Sequence, residues 1–123
     1  MAIPDFSAYE KTIIQQTVDE RWGKGKVTVE EVEVELRLYK DDRDVTLCPA
    51  IYWLHEDCNF VIAKVFERQS TDERRYRSQF FYSAKDQYGT GIEEYTDLGD
   101  CVLYLLRLQA DHESERKQHF PTS

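Results

Sequence analysis

The sequence predicts an α+β fold: an N-terminal amphipathic helix, a four- to five-stranded antiparallel meander sheet, and a C-terminal helix packed on the same sheet face. Apolar residues recur at helical intervals near both ends of the chain and alternate with period two in the middle. The connections between the alternating stretches are about five to eight residues, too short for the dozen or more that a parallel crossover needs.

The first helix is expected over residues 7–22. Ser7 and Glu10 make the S-x-x-E pattern of a capping box. Ile14, Val18 and Trp22 follow at four-residue spacing, with Tyr9 and Ile13 beside them, and Gly23 stands where a helix would close. Residues 24–26 read as a turn. Val32, Val34, Leu36 and Leu38 then alternate with Glu31, Glu33, Glu35 and Arg37, which is the cleanest strand signal in the chain. Val27 and Val29 alternate in the opposite phase, so a bulge or bend is expected at Glu30–Glu31.

A charged loop (residues 40–44) leads to the nearly unbroken apolar run 45–54, expected as a strand buried on both faces or at a subunit contact, with a bulge or an edge at Pro49. A third strand is expected over 60–66, with Lys64 on the face of Phe60, Ile62 and Phe66. A fourth follows over 75–83, with Tyr76, Phe80 and Tyr82 on one face and Arg75, Arg77, Gln79 and Phe81 on the other. Residues 84–91 read as a loop and 92–95 as a short edge strand. Leu98, Cys101, Val102, Leu105 and Leu108 define a second helix over roughly 97–112, capped by Asp97 or Asp100. Residues 1–112 are thus expected as a single domain and 113–123 as a polar, frayed tail.

Composition narrows the function. The 123 residues carry 24 acids against 16 bases, a net charge of −8. Such a charge opposes direct nucleic-acid binding and anionic membranes, and it favours basic partners. No apolar stretch has the length of a membrane helix, and the first six residues lack the pattern of a secretory signal. Cys48, Cys58 and Cys101 are odd in number and widely spaced, which suits free thiols in a reducing cytoplasm, although one disulfide plus one thiol is the alternative.

The chain shows little that could carry catalysis. His55, Cys58 and Cys48 are the nearest His/Cys grouping, but two of the four ligands of structural zinc have no source. Cys58 with His55 or His112 could make a thiolate pair, yet no recognisable pattern surrounds any cysteine. Gly89-Thr90-Gly91 lacks the strand–helix frame of a phosphate loop. No cofactor, metal site or catalytic residue is assigned.

Two charge patterns remain. Glu31, Glu33 and Glu35, with Glu30 adjacent, place like charges about seven ångströms apart on one strand face. They read as a docking strip for a basic protein, or as a solvated face that blocks edge aggregation. Arg68, Arg74, Arg75 and Arg77 interleave with Tyr76; they read as an anion or interface site, or as ion-pair partners of the chain's own acids. Aromatics on a second sheet face would favour a homodimer through the sheet or an apolar pocket.

The size, charge and element order resemble those of bacterial secretion chaperones and of acidic immunity and inhibitor proteins. The chain departs from the chaperone order in having no helix between its third and fourth strands. The expected function is therefore non-enzymatic: an acidic protein of inhibitor, immunity or chaperone type that docks on a basic partner through Glu30, Glu31, Glu33 and Glu35. The alternative is a small-molecule binder or enzyme with a pocket on the sheet lined by Tyr52, Tyr76, Arg77, Tyr82 and Arg75.

Overall fold

The computed structural model describes residues 3–36, 43–68, 73–83, 86–89 and 94–119. Helix α1 (Ala8–Trp22) begins as its capping box dictates. The Ser7 hydroxyl accepts from the Glu10 N–H at 3.1 Å, and the Glu10 carboxylate accepts from the Ser7 N–H at 2.8 Å. The helix ends at Gly23, whose N–H reaches the Asp19 carbonyl at 2.7 Å with φ at 109°, an angle that favours glycine.

Strands β1 (Glu30–Leu36), β2 (Thr46–His55), β3 (Cys58–Arg68) and β4 (Glu73–Ser83) follow as an antiparallel meander in chain order. A short β5 (Asp86–Gly89) pairs with β4 where the sequence reads as loop. Of the expected edge strand 92–95, residues 92 and 93 lie outside the described residues. Tyr95 forms an isolated bridge with Tyr76 through two 2.8 Å bonds. Helix α2 (Leu98–His119) is capped by Asp97, whose Oδ1 accepts from the Asp100 N–H at 3.1 Å. It runs seven residues past the expected end at residue 112. Residues 113–119 are mostly Glu, Arg, Lys and Gln, which continue a helix without needing a buried face.

Both helices cover one face of the sheet. Ile51, Trp53, Phe60, Ile62, Tyr76 and Phe80 bury there against Ile14 and Val18 of α1 and Leu98, Cys101, Val102, Leu105 and Leu106 of α2. Trp53 stacks on Phe60 directly across the ladder, with ring centroids 5.1 Å apart. Each such large side chain contributes about 1.5–3 kcal/mol by burial. The outer face holds a smaller cluster of Cys48, Ala50, Ala63 and Val65, with Ile3, Val32, Val34, Leu36 and Val61 packed at its margin.

Two sequence expectations change here. First, β1 has no bulge at Glu30–Glu31: its ladder with β2 runs unbroken from Glu30↔Tyr52 to Leu36↔Thr46. Val27 and Val29 pack into the helix-side core, and Glu31 stands opposite core residue Ile51. Directly opposite residues share a face, so 27, 29, 31, 33 and 35 all lie on the helix side. The apparent change of phase is a change of cover, because the helix-side core ends where the glutamates begin. Gln15 of α1 fixes that boundary, donating to the Val27 carbonyl at 2.9 Å and accepting from the Val29 N–H at 3.2 Å.

Second, of the bulge or edge expected at Pro49, the bulge lies across the ladder in β3, while the edge stands, since the β2–β3 pairing stops beside Pro49. Strand β2 carries no bulge; β3 shifts register between Lys64 and Phe66. The β2–β3 ladder ends at Ala50↔Ala63, one step short of Pro49. The extra residue, Val65, turns Phe66 to the outer face, where Arg75 sits over its ring at 5.3 Å. It also returns Glu67 to the face of Lys64.

Candidate functional site

The register shift in β3 builds a buried ionic cluster. Lys64, 1% exposed, lies between two carboxylates: Nζ is 3.0 Å from Glu10 Oε1 and 2.5 Å from Glu67 Oε2. It also donates to the Asp5 carbonyl at 3.2 Å and stands 5.8 Å from the centre of the Phe6 ring. Tyr76 donates its hydroxyl to Glu10 Oε2, and Arg74 Nε lies 3.2 Å from Glu67 Oε1. Burial alone would push the Glu10 carboxyl up. The bonds from the Ser7 N–H, Tyr76 and Lys64, with the Lys64 charge, outweigh it and hold Glu10 below its ordinary range. Burial and the Glu10 carboxylate raise Tyr76, so its proton stays in place. A capping residue of α1 is thereby tied to β3 and β4, and residues 5 and 6 are held against the sheet.

Those two residues form one wall of an open groove. Asp5, Phe6, Glu31, Val32, Glu33, Pro49 and Ala50 line a cavity of about 320 Å³. Four of these lining residues are apolar and three are carboxylates. Glu31 meets Lys11 of α1 at 2.7 Å, an exposed pair of the kind worth at most about 1 kcal/mol. Glu33 and Glu35 are exposed and have no ion-pair partner among the described residues. Glu35 stands opposite Leu47, which is 55% exposed. Glu30, opposite Tyr52, falls on the other face of β1. The strip is thus Glu31, Glu33 and Glu35, flanked by Asp5 and by an exposed leucine.

The other candidates are dispersed. Tyr76 and Tyr82 lie on the helix side: Tyr76 is in the buried cluster, and Tyr82 donates to Glu113 at 2.7 Å and accepts from Gln109 at 3.2 Å. Tyr52, Arg75 and Arg77 lie on the outer face. Tyr52 donates to Asn59 Oδ1 at 2.5 Å. Arg75 pairs with Glu73 at 2.8 Å, and Arg77 with Glu94 at 2.9 Å. The five residues therefore do not line one cavity. All three cysteines are buried and free. Burial pushes the Cys101 thiol up to about 12 and raises Cys48 as well, so both stay protonated and unreactive at neutral pH. His55 stacks on Trp22 at 4.4 Å, and His112 packs against Tyr82 and Phe80. Among the described residues no group of three or more His, Cys, Asp and Glu is placed to hold a metal ion.

Sequence reasoning identified the glutamate strip and missed the groove around it. Asp5 and Phe6 precede the first helix and carry no periodic signal. The buried cluster had one trace, a lysine in the middle of the apolar run 60–66. Glu67 had none, because only the register shift brings it to that face. No family model, curated protein or solved structure matches the chain. Among the described residues no helix is long and apolar enough to cross a membrane.

Proposed function

We propose that this is a non-enzymatic binding protein whose acidic groove docks on a basic surface of a protein partner. One observation carries the reading: Glu31 and Glu33 line an open groove, Glu35 continues the row on the same strand face, and two of the three lack a cationic partner among the described residues. Carboxylates in a row about seven ångströms apart repel one another, and a cation approaching Glu33 and Glu35 relieves that repulsion. Leu47, 55% exposed opposite Glu35, offers an apolar contact that converts electrostatic steering into a lasting complex.

The test is affinity capture at low salt with two baits, the natural protein and its Glu31→Gln, Glu33→Gln, Glu35→Gln variant. A basic protein retained by the first, lost from the second and eluted by moderate salt is the expected result. Equal retention by both baits, with no effect of salt, overturns the reading.

A further inference from the structure

The strand that carries the glutamates is also an edge. Strand β1 pairs only with β2 among the described residues, so its other side presents unpaired backbone groups. Which residues present them follows from the hairpin between β2 and β3. That loop has two residues, Glu56 and Asp57, and Glu56 has φ at 56°, as primed two-residue turns require. In such a hairpin the closing pair, here His55↔Cys58, exchanges its hydrogen bonds. Orientation alternates along a strand, so Trp53, Ile51 and Pro49 also turn their backbone toward β3, away from β1. Pro49 fits this phase: its missing N–H points to the side where the β2–β3 ladder has already ended.

Glu31, Glu33 and Glu35 stand opposite Ile51, Pro49 and Leu47, so they make non-hydrogen-bonded pairs with β2. Their N–H and C=O groups therefore point outward, to the free edge. The same three residues supply the carboxylates on one face. The alternate residues Val32, Val34 and Leu36 bond inward and leave half-buried apolar side chains on the other face.

Resting on the docking reading above, we infer that the partner segment is an extended strand with alternating cationic and apolar residues, added antiparallel to the free edge of β1. A residue directly opposite Glu33 in that register exchanges both backbone hydrogen bonds with it and projects its side chain onto the same face. Lysines or arginines at alternate positions thus meet Glu31, Glu33 and Glu35 at the spacing of the strand itself. The intervening apolar residues cover Val32, Val34 and Leu36. A second copy of this chain does not satisfy the edge, since antiparallel pairing of β1 with itself sets glutamate opposite glutamate.

The experiment uses the full chain and three synthetic nine-residue peptides. One alternates lysine and valine, one has the same composition with its lysines clustered, and one is the alternating peptide N-methylated at its lysine backbone nitrogens. Binding is read by fluorescence anisotropy, and backbone amide exchange by NMR. The alternating peptide is expected to bind at least tenfold tighter than either of the others. It should slow exchange at Glu31, Glu33 and Glu35 at least tenfold and leave Val32, Val34 and Leu36, already protected, unchanged. Equal binding of all three peptides with no protection at those glutamates overturns strand addition and leaves docking by charge standing. If no peptide binds the natural protein more tightly than it binds the triple glutamine variant at low salt, both the added strand and the docking reading fall.

Discussion

Glu10 and Glu67 on one side, and Glu31, Glu33 and Glu35 on the other, are five carboxylates with opposite fates. The first two share one lysine beneath the N-terminal segment, and every charge there has a partner at 3.2 Å or less. The other three stand in a row on β1, two of them lining the open groove, and among the described residues a single exposed lysine, Lys11, pairs with them. Desolvation explains the division. A buried carboxylate survives only when cations and hydrogen bonds replace its water, whereas an exposed one keeps its water and stays available. The buried set is therefore committed to the fold, and the exposed set is free to act on something else.

The sharpest way to break the comparison is to remove the shared cation. Lys64→Ala leaves two acids in a dry site and should cost about 3–5 kcal/mol of stability by denaturant unfolding; a loss below about 1 kcal/mol would show that water already reaches the cluster. Tyr76→Phe removes one hydrogen bond to a charged acceptor and should cost about 2 kcal/mol in the same assay.

Acid should act on the buried set next. The Glu10 carboxyl is held below its ordinary value in the folded chain, so its contribution is complete above the usual glutamate range and is lost as pH falls through the lower folded value. Unfolding curves from pH 6 to pH 3 should show this decline, and Glu10→Gln should flatten it while lowering stability throughout. The smallest effect is expected at the exposed set. The Glu31→Gln, Glu33→Gln, Glu35→Gln variant should change stability by no more than about 1 kcal/mol, because the ion pair it removes among the described residues is the exposed one between Glu31 and Lys11. A loss as large as that of Lys64→Ala would move the exposed glutamates into the structural set and erase the distinction.

The α+β class, both helix starts and the four main strands were legible because each rests on local periodicity or on a cap. The glutamate strip was legible for the same reason. What stayed hidden depends on partners far along the chain. Lys64 and Glu10 are 54 residues apart, and the opposition of valine and glutamate phases around residue 30 has no meaning until the reach of the helix-side core is known. Phe66 was assigned to the wrong face because one extra residue in β3 inverts everything after it, and no composition signal marks Val65 as that residue. The last seven residues of α2 carry no apolar stripe in the sequence, so hydrophobic periodicity does not report them.

Pro49 has a consequence beyond its own strand. It acts as a frame mark for the sheet. Were β2 rotated by one residue, the imide would face β1, one rung of that ladder would be lost, and the glutamate amides would turn inward. Replacing it with alanine would leave the native arrangement intact and remove part of the penalty on the misread one. The loss would be in fidelity of assembly more than in strength, and the free edge of β1 would report it first.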